Sequence, residues 1–233
     1  MKNNSEYTIF YTNDGTPPPY LYEINVVLKF ENSGIQVFFA KNYLQREEVS
    51  LEELEEEGFS DNDDIELQSR LTGNWVNVLQ DIVDASKGAK TLPESANISE
   101  YLQIKQGEDI YYKKELDIEY LFEELLQGIV ENEKFELPLS IDFSIPTTPE
   151  PFTFKLTWNF STLSITSNVN GLTIPDWSKS KQLLNSLFSS DFSEFKSAKK
   201  CSKKEVSVHV GDGFWYEIPA HYPMATKITS MKK

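Results

Sequence analysis

Tyr20-Leu21-Tyr22-Glu23-Ile24-Asn25-Val26-Val27-Leu28-Lys29-Phe30-Glu31 is the stretch on which the fold turns. Apolar or aromatic residues hold positions 20, 22, 24, 26, 28 and 30, and Glu23, Asn25, Lys29 and Glu31 fall between them. Side chains of a strand point to opposite faces in turn, so this spacing predicts one face on a core and one in water. Glu31-Asn32-Ser33-Gly34 has turn chemistry, and Ile35, Val37 and Phe39 resume the alternation as a return strand. The expectation is a β-hairpin.

A second stretch has the same design. Phe152, Phe154, Leu156, Trp158 and Phe160 alternate with Thr153, Lys155, Thr157, Asn159 and Ser161, and a short turn leads to Leu163 and Ile165. Thr16-Pro17-Pro18-Pro19-Tyr20 leads into the first hairpin and Thr148-Pro149-Glu150-Pro151-Phe152 into the second. A short helical stretch follows each, around Leu51 and Leu54 and around Leu183, Leu184 and Leu187. The pattern suggests an internal duplication of a hairpin-helix unit. The fold class expected is α+β, with antiparallel hairpins and helices packed on one face. Residues 1–110 form the first, acidic hairpin-helix unit in this reading, and residues 111–233 the second, which carries a C-terminal hairpin; one continuous domain is the alternative.

Helix signals fill the intervals. Ser50 and Glu53 have capping-box spacing, and Gly58-Phe59 suits a left-handed C-terminal cap. Trp75, Val78, Leu79, Ile82 and Val83 form an apolar stripe that stops near Lys87-Gly88. Ile118, Leu121, Phe122, Leu125 and Ile129 line one face of a third helix, whose opposite face reads as acidic. Residues 86–110 give few periodic cues and are expected to be loop. Phe135, Leu137, Leu139, Ile141 and Phe143 alternate as a strand, and Pro138 argues for an edge position. Val206, Val208 and Val210 run through Gly211-Asp212-Gly213 into Phe214-Trp215-Tyr216, a hairpin expected to pair His209 with Tyr216. The tail after Pro223 reads as frayed.

Net charge is −15, very unevenly spread. Residues 1–150 carry 31 Asp/Glu against 11 Lys/Arg, and residues 151–233 carry 6 against 11. An acidic body repels nucleic acid and anionic membrane, so neither is an expected partner. No run approaches the roughly 18 apolar residues that span a bilayer. Met1-Lys2-Asn3-Asn4-Ser5-Glu6 passes straight into strand-like residues without an apolar signal core. Together with a single cysteine, Cys201, this makes a cytoplasmic location the expectation.

Chemistry-bearing motifs are sparse. Asp61, Asp63, Asp64 and Glu66 cluster, but Glu66 stands where an EF-hand has its glycine and Thr72 where it has its bidentate glutamate. The cluster reads as an acidic turn, and no metal site is expected. Lysines 199, 200, 203 and 204 would favour a thiolate at Cys201, yet no histidine is placed to partner it. Lys196 and these four read as a solvated linker. Phosphate-binding glycine loops, the Gly-x-Ser-x-Gly elbow and zinc motifs are missing, and no cofactor is expected.

Three function classes remain. The leading one is a non-enzymatic protein-interaction module of inhibitor or immunity type, in which an acidic surface binds another protein of basic character. Its candidate residues are Glu52, Glu53, Glu55, Glu56 and Glu57, with Glu119, Glu123 and Glu124 beside them. The alternatives are a small-ligand carrier or scaffold, and an enzyme using dispersed carboxylates with His209 and Tyr216.

Overall fold

Both alternating stretches are strands, each in its own antiparallel sheet. The computed structural model describes residues 5–232; residues 1–4 of the opening stretch and Lys233 lie outside the described residues. The chain divides into two compact units after Glu136.

Unit 1 runs β1 (Glu6–Thr12), β2 (Tyr22–Glu31), β3 (Gly34–Tyr43), α1 (Leu51–Glu56), β4 (Ile65–Leu71), α2 (Asn74–Ser86), β5 (Tyr101–Gln106), β6 (Asp109–Lys114) and α3 (Ile118–Asn132). Its sheet has the order β4-β3-β2-β1-β5-β6, antiparallel throughout. Glu31 pairs with Gly34, so Asn32 and Ser33 close the hairpin as the sequence suggests. Ile24, Val26, Leu28 and Phe30 of β2 are buried, and so are Ile35, Val37 and Phe39 of β3. Trp75, Leu79 and Val83 of α2 and Phe122, Leu125 and Ile129 of α3 complete this core. Phe122 lies 5.7 Å from Tyr11 and 6.4 Å from Phe39 between ring centroids, which sets α3 on the core face of the sheet. Area removed from water on this scale is what drives such a layer to close.

Two expectations for this unit change. Residues 101–114, read in part as loop, are the β5–β6 hairpin, with Gln106 paired to Asp109 around Gly107 at φ +60°. A division expected between 110 and 111 would fall inside that hairpin.

Unit 2 runs β7 (Leu139–Ile145), β8 (Phe152–Asn159), β9 (Ser164–Ser167), α4 (Trp177–Phe188), β10 (Ser197–Ala198), β11 (Val206–His209), β12 (Trp215–Ile218) and α5 (Pro223–Ser230). Its sheet order is β10-β12-β11-β7-β8-β9, again antiparallel. Phe143, Phe154, Leu156, Trp158 and Val208 meet Leu183 and Leu187 of α4 and Met224 and Ile228 of α5 in one core. The Pro18–Pro19 peptide bond before β2 and the Thr148–Pro149 bond before β8 are both cis.

Strand β7 is central, flanked by β11 and β8, and not an edge. Pro138 stands just before the first paired residue, Leu139, so its missing N–H breaks no ladder bond. Among the described residues the tail, read as frayed, is instead a helix over Pro223–Ser230. Pro223 opens α5 at a position where a missing N–H costs nothing, and Met224, Ala225, Ile228 and Met231 are buried.

The two sheets share an order. Strands β3-β2-β1-β5-β6 and β9-β8-β7-β11-β12 follow the same path, with α2 or α4 before the last hairpin and α3 or the shorter α5 after it. Helix α4 therefore corresponds in order to α2, not to α1. β4 lies outside β3 and β10 outside β12, so the sixth strand is added at opposite ends.

Candidate functional site

Register builds the most distinctive surface of unit 1. Tyr22 and Tyr43 are direct cross-strand partners, with ring centroids 6.0 Å apart. Tyr11 lies 6.2 Å from Tyr22, Phe59 5.6 Å from Tyr43, and Tyr20 5.4 Å from Phe59. A continuous run of rings thus follows one end of the sheet, from the exposed Tyr20 through the half-buried Phe59, Tyr43 and Tyr22 to Tyr11, which lies in the core. Tilted and edge-on contacts of this kind suit the ring quadrupole.

Two predicted glutamates are held at this run by tyrosine hydroxyls. The Tyr20 hydroxyl donates to Glu57 Oε2, and the Tyr22 hydroxyl donates to Glu119 Oε1 at 3.2 Å. Burial, followed by the charge of Glu119, raises the Tyr22 phenol well above its ordinary range. Glu123 and Glu119 border a cleft of about 230 Å³ with Tyr22, Lys41 and Phe122, and a second of about 590 Å³ with Tyr11, Asp117 and Tyr120. No ion pair involves Asp117, Glu119 or Glu123 among the described residues, whereas nearby Glu100 and Glu115 are paired with Lys114 and Lys113. Asp117 and Glu119 gain from the α3 N-terminus, but Glu123 repels Glu119 one turn earlier.

Cations already use these rings. The Lys41 ammonium lies 4.2 Å from the Tyr22 centroid and 4.8 Å from that of Tyr43. The Arg46 guanidinium lies 3.9 Å from Tyr43 and 4.5 Å from Phe59, and its Nη1 donates to Asp63 and to the Ser60 carbonyl. Hydrogen bonds from Ser60, followed by Arg46, pull the Asp63 carboxyl down to about 2. Asp64 Oδ1 accepts from the Tyr43 backbone at 2.8 Å. The acidic turn is thus a brace for Tyr43 and Arg46.

Helix α1 has the cap the sequence suggests: Ser50 Oγ accepts from the Glu53 backbone, and the Glu53 carboxylate accepts from the Ser50 backbone. Gly58 at φ +82° ends it, and the Phe59 backbone donates to the Leu54 carbonyl at 2.8 Å. Leu54 is buried, and Glu52, Glu53, Glu55, Glu56 and Glu57 are all exposed. Of the α3 candidates, Glu119 and Glu123 are exposed, but Glu124 is buried at 7% exposure and does not belong to the acidic surface.

The His209–Tyr216 pairing does not form. His209 stands opposite Asp142, and Tyr216 opposite Val208. Residues 210–214 make a longer connection than the expected two-residue turn, in which the Asp212 carboxylate accepts from the Phe214 backbone and the Tyr216 hydroxyl. That register sets Val206, Val208 and Ile218 in the core, which a one-residue slip would reverse. His209 Nδ1 is 3.8 Å from Asp142 Oδ2, and its ring is 5.5 Å from Trp215. His209 is thus packed between a carboxylate and an indole ring.

Cys201 is half-buried, and the Ser202 backbone beside it donates to Ser207 Oγ of β11. Lys196 pairs with Glu217 and Lys203 with Glu150, and the Lys199 ammonium covers the Phe214 ring at 3.7 Å. Among the described residues no group of His, Cys, Asp and Glu is arranged to hold a metal ion, and no helix is long and apolar enough to cross a membrane.

Alternation alone does not show the ring run, since it places Tyr20 and Tyr22 on one face of a strand; the signal for it is tyrosine at the ends of three successive strand-like stretches, Tyr11, Tyr22 and Tyr43. Fold and site together define an α+β protein with an acid-rimmed aromatic surface. No family model, curated protein or solved structure matches the chain.

Proposed function

We propose that this is a non-enzymatic protein-interaction module whose unit 1 binds a basic partner protein, in the manner of an inhibitor or immunity protein. The observation that carries the reading is the fixing of Glu57 and Glu119 by Tyr20 and Tyr22 along one run of rings. Carboxylates held beside ring faces suit arginine and lysine side chains, which gain from both charge and quadrupole. Lys41 and Arg46 illustrate the attraction within the chain itself. Tyrosine is also a residue that concentrates binding energy at interfaces.

Charge supports the same partner. Residues 1–136 carry 29 Asp/Glu against 11 Lys/Arg, −18, while residues 137–233 carry 8 against 11, +3. The exposed glutamates of α1 would steer encounter at long range, and the ring run would supply short-range grip. The shared strand order, with the Pro-x-Pro-aromatic leads into β2 and β8, favours duplication of one ancestral unit followed by divergence of charge. A single cysteine fits a reducing, cytoplasmic setting.

Affinity capture from native cells tests the proposal, with wild-type protein and the Glu119→Lys/Glu123→Lys variant compared at low and high salt. A basic partner, lost with rising salt and with charge reversal, is the expected result. A partner retained unchanged under both conditions would overturn the electrostatic reading.

A further inference from the structure

We propose that the cavity between α4 and α5 of unit 2 is a binding site for a small amphiphile with an apolar tail and one carboxylate head, such as a medium-chain fatty acid. The inference is independent of the acidic surface of unit 1. The cavity measures about 470 Å³, within the range of small-molecule sites. Leu183 and Met231, both buried core residues, and Ile174 give it an apolar lining. The connecting segment on one side is tied to the end of α5, because Leu172 bridges Lys232 and the Thr173 backbone donates to the Met231 carbonyl at 2.8 Å.

The charges decide the class of ligand. Asp176 is already engaged: it caps α4 by accepting from the Lys179 backbone at 2.8 Å, and it pairs with the Lys179 ammonium at 3.0 Å. Those two charges offset each other. Lys227 has no carboxylate among the described residues. Its ammonium donates to the Gln182 carbonyl at 3.3 Å and to Ser186 Oγ at 3.4 Å, both long for charged donors. The charged side chains that line the cavity, Asp176, Lys179 and Lys227, thus sum to +1 beside an apolar wall. A carboxylate head on Lys227 with its tail against Leu183 and Met231 satisfies both groups at once. A cationic amphiphile would meet Lys227 as a like charge.

Calorimetric titration of the full chain tests this, using decanoate, octanoate, decanol and decyltrimethylammonium as probes. Decanoate is expected to bind at one site and octanoate about fifteenfold more weakly, since each methylene contributes about fourfold. Decanol should bind about tenfold more weakly than decanoate, and the cation not at all. Lys227→Met should bring decanoate down to the level of decanol. Gln182→Trp, a change at an exposed position on the cavity wall, should block both. Absence of saturable decanoate binding to the wild type would overturn the proposal, whatever the variants do. So would equal affinity for decanoate and decanol, full retention in folded Lys227→Met, or undiminished binding in Gln182→Trp, which would place the ligand elsewhere.

Discussion

The Tyr22 hydroxyl donates to Glu119 Oε1 at 3.2 Å, tying the start of β2 to the first turn of α3 across 97 positions of sequence. The bond joins the edge of the core to the acidic surface, and its titration follows from its surroundings. Burial first, and then the charges of Glu119 and Tyr11, hold the phenol above its ordinary value of 10.0. A raised folded-state pKa contributes stability that is complete below 10.0 and is lost as pH climbs beyond it. Loss of the bond to Glu119 in Tyr22→Phe should lower stability at neutral pH by about 1 kcal/mol, the usual net worth of one hydrogen bond. It should also make the alkaline decline shallower. Denaturant titrations at neutral pH and above 10.0 measure both effects.

Asp63 gives the opposite limb. Its carboxyl is held at about 2, below an ordinary 3.8, by Ser60 and Arg46. The stability it lends is present above 3.8 and disappears as pH falls through about 2. Asp63→Asn should lower the melting temperature at neutral pH and flatten the acid decline in that window. An acid limb identical to wild type would show that the Arg46 brace does not contribute.

Gly34 is required by a close approach. A Cβ there would stand 2.7 Å from the Leu71 carbonyl oxygen, a backbone atom that cannot swing aside. Gly34→Ala should cost about 1–3 kcal/mol, as overpacking does. Gly88→Ala meets nothing within 4 Å and should be neutral or stabilising by about 0.5 kcal/mol. Equal melting temperatures for the two variants would remove the steric argument.

The C-terminal helix should behave as core. Ile228 is fully buried, and Ile228→Ala is expected to cost about 2–5 kcal/mol in unit 2. Phe188→Ala, at 66% exposure, should change stability by no more than about 0.5 kcal/mol. A chain truncated before Pro223 should show loss of protection from hydrogen exchange in β7 and β11, which carry the residues packed on α5.

Much of the frame was legible. The every-other-residue burial of β2, β3 and β8, the Ser50–Glu53 cap and the stripes of α2 and α3 all stand as read, because each is written in neighbours two to four positions apart. The β5–β6 hairpin was hidden because only Leu102 and Ile104 of β5 are buried and β6 contributes no buried residue. Glu124 reads as one more surface acid beside Glu123, and its buried position depends on what packs against α3.

Sequence alone determined that this chain makes antiparallel α+β structure, where its main hairpins begin, and how its charge is divided. Tertiary structure alone decided that β7 is central, that Val208 and not His209 faces Tyr216, and that five rings from separate segments line up beside Glu57 and Glu119. The physical reason is range. Periodicity and caps are set by steric and hydrogen-bond demands within a turn or two of chain, whereas register and site assembly are set by which distant surfaces leave water together.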